Sequence, residues 1–170
     1  MEQLNPLQWA ILPLKKYATF SGRAPRAEYW WYRLGAGIVG FLLGVFDFLV
    51  LHGPVYGNYG ILGLLFVIVC AVPGIAVLVR RLHDTGRSGW WASIGLPTYA
   101  LLIVGRSPFS AGALVDGAST PVLVVFGLLL LMWIVAAIGV FIFVVTAGDV
   151  GSNQYGPDPY GASELEEVFA

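Results

Sequence analysis

Apolar residues run along this chain in long blocks, with the charged residues gathered between them. A helix needs about 20 mostly apolar residues to cross roughly 30 Å of hydrocarbon at 1.5 Å per residue. Residues 34–51 form such a block, interrupted only by Asp47, and residues 61–79 form another without a charge. Residues 122–146 give a longer uncharged stretch that can cross with some tilt. Residues 90–104 make a shorter block that contains Pro97. By length alone it suits a re-entrant segment or a buried helix as well as a span.

The basic residues decide its status. Lys15, Lys16, Arg23, Arg26 and Arg33 precede the first block, and Arg80, Arg81 and Arg87 lie between the second and the third. Residues 52–60 carry no Lys or Arg, and residues 105–121 carry only Arg106. Short loops rich in Lys and Arg stay in the cytoplasm, so this eight-to-one split predicts four spans with both termini cytoplasmic. The expected fold is an all-α polytopic membrane protein. A cytoplasmic, interfacial N-terminal segment (1–33) precedes a four-helix transmembrane domain (34–146, spans about 34–51, 61–79, 90–104 and 122–146), and an irregular cytoplasmic tail (147–170) follows. The first residues do not read as a signal peptide, because Glu2 and Pro13 disrupt the pattern and the lysines follow the apolar stretch. Asn5-Pro6 instead reads as a cap and first helical position, opening a short interfacial helix with Leu7, Trp9, Ile11 and Leu14.

Composition agrees. Of 170 residues 58% are hydrophobic and 11% charged, against about 25% charged in an ordinary soluble domain, which excludes a soluble globular fold. A net charge of −1 provides no global field for nucleic acid. Cys70 alone excludes a disulfide framework and a Cys-based zinc site, and neither metal nor cofactor is expected.

Three polar clusters fall on the predicted cytoplasmic side: Phe20-Ser21-Gly22-Arg23 through Arg26, Glu28 and Tyr29-Trp30-Trp31; Arg80-Arg81-Leu82-His83-Asp84-Thr85-Gly86-Arg87-Ser88-Gly89-Trp90-Trp91; and Gly148 to Pro159, with Asn153-Gln154-Tyr155-Gly156-Pro157-Asp158. With these motifs the chain resembles the bacterial inner-membrane family catalogued as domain of unknown function 805. The resemblance covers nearly the whole chain and implies a four-helix inner-membrane protein, with no catalytic residue to carry over.

The second cluster has the chemistry of an anion site. Two arginines end a helix, and a hydroxyl-bearing turn with free backbone N–H groups leads into the next element. Arg23, Arg26, Arg80, Arg81, Thr85, Gly86, Arg87 and Ser88 are the expected ligands of an anionic lipid headgroup. The competing reading is a structural salt-bridge network through Glu28, Asp84, Asp149 and Asp158. Glu28, His83, Asp84, Asn153, Tyr155 and Asp158 are expected to form a structural polar cap. If the acids pair once each, at least two arginines are left over for an anion.

His83 beside Asp84 is a poor acid–base couple, since adjacent residues on a helix do not face each other. His52 falls on the other side of the membrane. Asp149-x-Gly151-x-Asn153 lacks the acid that a calcium loop needs, which is Tyr160 here. Asp47, near the outer end of its span, is expected to reach the interface or to pair with Arg106. Gly40 and Gly44 form a GxxxG pair suited to packing inside the bundle. Pro73-Gly74 should kink or break the second span, leaving carbonyls that need protein partners. Ser21-Gly22-Arg23 with Trp30-Trp31, and Thr85-Gly86-Arg87 with Trp90-Trp91, make a short internal similarity.

The reading that follows is a structural or accessory inner-membrane protein, not an enzyme, whose cap meets anionic lipid or a larger membrane complex. A small transporter or channel is the alternative and a membrane-embedded enzyme the third. The spans lack the midplane polar groups of a transporter, and no nucleophile with usable spacing marks an enzyme.

Overall fold

The computed structural model describes residues 4–50, 60–95 and 120–161. Its regular structure there is helical, apart from an isolated bridge between Asn153 and Gly156. Helix α1 spans Pro6–Lys15, α2 Arg26–Val50, α3 Ile61–Asp84 and α4 Thr120–Val145, with a 3-10 helix at Gly89–Gly95 before α4. Among the described residues three helices are long and apolar enough to cross a membrane: Arg26–Val50, Ile61–Asp84 and the Gly127–Val145 part of α4. The predicted span 90–104 begins as the 3-10 helix, and its residues from 96 onward lie outside the described residues, as do Arg106 and His52.

Helix α1 starts as its sequence predicts. The Asn5 side chain accepts from Gln8 N at 2.8 Å, and Gln8 Oε1 accepts from Asn5 N at 2.7 Å, a capping box that satisfies donors at both positions. Helices α2 and α3 overrun their apolar blocks toward the arginines. α2 begins at Arg26, just after Pro25, and α3 continues past Val79 to Asp84. A charge ends a hydrocarbon-crossing stretch without ending a helix, and these overruns carry Glu28, Arg80, Arg81 and Asp84.

Helices α2 and α3 pack closely. A Cβ at Gly40 would lie 3.5 Å from the Phe66 ring, so this glycine of the GxxxG pair serves contact within the bundle. Nearer the arginines Ala24, Tyr32 and Val77 form a buried cluster. Helix α1 is docked on the pair. Ala10 Cβ lies 3.4 Å from where a Cβ at Gly35 would sit, and Lys16 Nζ lies 3.8 Å from Glu28 Oε2.

Helix α3 runs unbroken through Pro73. Proline lacks the N–H that would bond the carbonyl four residues back, which is Val69, and Tyr17 Oη donates to Val69 O at 2.7 Å. Tyr32 Oη donates to Cys70 O at 2.9 Å. The freed carbonyl therefore has a protein partner, as a proline in a spanning helix requires. Tyr17→Phe is expected to cost about 0.5–1.5 kcal/mol, the net worth of one hydrogen bond. In a Pro73→Ala background, where the helix bonds Val69 itself, the loss should nearly vanish, as measured by SDS-titrated unfolding of the purified protein.

At the opposite end α3 is capped from outside its own chain segment. Its N-cap is Gly60, which has no side chain to offer, and Asp47 Oδ2 of α2 accepts from Gly63 N at 2.9 Å. Asp47 is 1% exposed. It caps the start of α3, and Arg106, its other expected partner, lies outside the described residues.

Helix α4 is apolar on all sides and largely exposed, the character of a lipid-facing helix. Trp133 Nε1 donates to Ile94 O at 3.0 Å, tying α4 to the 3-10 helix. Its last turns meet Trp91 and Trp30 through edge-on contacts with Phe143 and Phe141.

Candidate functional site

The three polar clusters converge at the C-terminal ends of α3 and α4. The last turn of α3 projects Arg80, Arg81 and Asp84 into the protein, all at 2% exposure or less. Burying a charge is tolerable only when it is paired and hydrogen-bonded, and the surrounding chain supplies each of these charges with an oppositely charged partner. Arg80 Nη1 lies 2.5 Å from Glu28 Oε1. Asp84 takes two arginines, Arg23 through Nε at 2.9 Å and Arg81 through Nη1.

The remaining donors of Arg81 and Arg23 go to backbone carbonyls, whereas Arg80 Nε and Nη2 are buried with no hydrogen-bond partner among the described residues. Arg81 Nε donates to Val144 O at 3.1 Å and its Nη2 to Thr146 O. Arg23 donates through Nη1 to Gly151 O at 2.5 Å and through Nη2 to Asp149 O. These carbonyls belong to the last turn of α4 and the chain just after it. Two arginines from distant parts of the sequence thus hold the tail across the end of α3.

The tail is irregular and packed over the helix ends, as its Gly, Asn and Pro content predicts. Asp149 N donates to Asp84 O at 2.8 Å, and Asn153 Nδ2 donates to His83 O at 2.9 Å. Tyr155 stacks parallel on His83, with centroids 3.9 Å apart. Asp158 accepts from Gly151 N and Tyr160 N, both at 3.0 Å. Glu28, His83, Asp84, Asn153, Tyr155 and Asp158 therefore do meet in one cap.

The turn at Thr85 to Ser88 departs from expectation. The N–H groups of its first three residues are not free. Gly86 N donates to His83 O and Arg87 N to Leu82 O, with Gly86 at φ +68°, the Schellman pattern that closes a helix with glycine in the left-handed region. Thr85 Oγ1 donates to Leu82 O, and Ser88 Oγ accepts from Trp90 N at 3.4 Å. The turn spends the N–H groups of Thr85, Gly86 and Arg87 on ending α3, so they are not available to an anion. Gly22 also has a positive φ, +83°. The SGR and TGR segments share that geometry, but Arg23 is buried on Asp84 while Arg87 is exposed.

Arg26 and Arg87 are the exposed arginines of the predicted set. Arg26 Nε donates to Thr146 O at 3.1 Å, and the Arg87 guanidinium sits 4.6 Å from the centroid of the Phe143 ring. Neither has a carboxylate partner among the described residues. They reach α4 at different contacts. Arg26 lines a polar cavity of about 350 Å3 with Arg23, Arg81, Asp84, Asp149 and Asp158, and Arg87 does not. Trp30, Trp31, Trp90 and Trp91 stand exposed around the same end.

His83 Nδ1 lies 3.1 Å from Gly22 O. A carbonyl only accepts, so this nitrogen carries the hydrogen. Asp84 is engaged by arginines, which leaves no oriented Asp–His couple here. Among the described residues no three His, Cys, Asp or Glu side chains gather as metal ligands.

The roles of Tyr17, Tyr32 and the carbonyls of Val144, Thr146, Asp149 and Gly151 were not anticipated. Pro73 signals that a donor is needed near Val69, without saying which. The carbonyls carry no sequence signal, because every residue has one.

Comparison with known proteins agrees with the motifs. Residues 17–157 match the family model described as protein of unknown function (DUF805). The chain is 33% identical over 153 residues to inner membrane protein YhaH of Escherichia coli strain K12, covering 90% of this chain and 97% of that protein. It is equally identical to inner membrane protein YhaI of the same strain, covering 90% and 96%. Uncharacterized protein YiiR of that strain is 31% identical over 144 residues, covering 82% and 85%. No solved structure matches.

Proposed function

The chain belongs to the DUF805 family, and from that premise we propose that it is a four-span inner-membrane protein of structural or accessory role whose arginine cap engages anionic phospholipid headgroups. The names of YhaH and YhaI support the inner-membrane location. Support for the fourth span comes from chain direction. The C-terminal ends of α3 and α4 meet through Arg81, Val144 and Thr146, and α4, with 26 residues, is about 39 Å long at 1.5 Å per residue. That direction favours one further crossing between Arg87 and Thr120. The clustering of Lys and Arg at the arginine-bearing end favours the cytoplasm for that end and for both termini.

The observation that carries the lipid reading is the pair Arg26 and Arg87. Both are exposed and without a carboxylate among the described residues, beside tryptophans of the kind found at membrane interfaces. The other three arginines are committed to the cap. A guanidinium can give a phosphate two charge-assisted bonds, and each basic group near an anionic leaflet is worth about 1 kcal/mol. The double variant Arg26→Gln/Arg87→Gln should thus lower retention of phosphatidylglycerol relative to phosphatidylcholine by about 30-fold at constant fold, read by native mass spectrometry of the gently extracted protein. An unchanged ratio overturns the reading. A protein partner lost from the extract in place of lipid would assign the arginines to a membrane complex.

A further inference from the structure

A second cavity lies apart from the arginines. Leu65, Ile68, Val72, Ile75, Val79 and His83 follow one another on α3 at steps of three and four residues, which places them along one face. The stretch from Leu65 to Val72 is open, at 53%, 53% and 36% exposure for its three members. From Ile75 onward the same stripe is flanked by Phe20 and by the 3-10 helix with Ser88 and Trp90, which together line an open groove of about 480 Å3. No Lys, Arg, Asp or Glu is among its described lining residues. The volume lies within the range of small-ligand sites.

Its polar end is His83. Nδ1 is committed to Gly22 O and one ring face to Tyr155. Nε2 points toward Gly89, 3.2 Å from where a Cβ there would sit, and has no hydrogen-bond partner among the described residues. In the neutral ring Nε2 presents a lone pair. An apolar slot continuous with the lipid-facing stripe of a spanning helix, ending on an acceptor at the level of the cap, matches the shape and chemistry of a lipid.

We propose that this cavity holds one acyl chain of a phospholipid from the leaflet at the arginine-bearing end, with an N–H or O–H donor of its headgroup on His83 Nε2. The proposal rests on the membrane-spanning reading of α3 and not on the charge preference of Arg26 and Arg87. It selects for a donor in the headgroup, whereas those arginines select for net negative charge.

The test uses the full chain in phosphatidylcholine vesicles carrying a trace of a lipid with a mid-chain diazirine. The labelled lipid is either phosphatidylethanolamine or phosphatidylcholine with identical chains. Both are zwitterionic, and only the first has N–H donors. Photolysis and peptide mapping should place adducts on Ile75 to Trp90 more densely than on Leu65 to Val72, with phosphatidylethanolamine favoured about fivefold, the worth of one net hydrogen bond. Ser93→Trp and Ser88→Trp fill the cavity from exposed positions on its wall. Each should reduce labelling of Ile75 to Trp90 to the level of the open stripe and leave Leu65 to Val72 unchanged. Equal labelling by the two lipids, or no effect of either tryptophan, overturns the proposal. The Arg26→Gln/Arg87→Gln variant separates the two readings. Labelling that persists there supports the cavity even where the phosphatidylglycerol preference is gone, and labelling that disappears with the arginines overturns it.

Discussion

Asp84→Ala is expected to destabilise the protein by about 3–5 kcal/mol, the usual cost of removing one partner from a buried ion pair. Asp84 answers two buried guanidiniums at once, those of Arg23 and Arg81, and the substitution leaves both without a carboxylate. Both also hold the tail through backbone carbonyls, so the loss should be felt there first. Limited proteolysis should cut between Asp149 and Tyr155 in the variant under conditions that spare the parent. Asp84→Asn keeps an acceptor oxygen in place and should fall between the two. A variant within about 0.5 kcal/mol of the parent, the level of an ordinary surface change, would mean that these ions do not hold the cap.

The second large effect is expected at the other end of the bundle. A Cβ at Gly60 would overlap the Asp47 carboxylate, so Gly60→Ala must displace either the start of α3 or the side chain that caps it. Overpacking of this kind costs about 1–3 kcal/mol. Asp47→Ala removes the cap on Gly63 N and should cost about 0.5–2 kcal/mol, as lost N-caps do. In an Asp47→Gly background both the carboxylate and the Asp47 Cβ, which lies 2.1 Å from where a Cβ at Gly60 would sit, are gone. Gly60→Ala then has room there, and that double variant should be more stable than the sum of its singles by at least about 0.5 kcal/mol. Strict additivity in SDS-titrated unfolding would rule out the contact.

Much of this architecture is legible in the sequence because hydrocarbon imposes one length on every crossing. Unbroken apolar runs marked α2, α3 and α4, and Asn5-Pro6 marked the start of α1. Helix ends were less legible. Arg26 and Asp84 belong to helices whose hydrophobic signal stops earlier, since a guanidinium can be buried by partners the local sequence does not reveal. The cap shows the same limit. Counting acids against arginines leaves at least two over without saying which, and it treats Arg23 and Arg81 as though carboxylates were their only acceptors. Four backbone carbonyls, at Val144, Thr146, Asp149 and Gly151, complete those side chains. The Thr85 to Ser88 turn was misread for a related reason. Gly86 following a helix that ends in Leu82-His83-Asp84 is a C-cap signal, and it competes for the same N–H groups that an anion would use.

The carbonyl acceptors of Arg23 and Arg81 impose an order on biosynthesis. Gly151 lies 128 residues after Arg23, so at about 5–20 residues per second the ribosome needs roughly 6–26 s after making Arg23 to deliver the group that completes it. Through that interval α2 and α3 exist with guanidiniums that only the last stretch of chain can finish satisfying. A messenger truncated before codon 144 would yield apolar helices of full length and an unclosed cap. Such a product would be recognisable to membrane proteases by its loose end, although every one of its first three helices is intact.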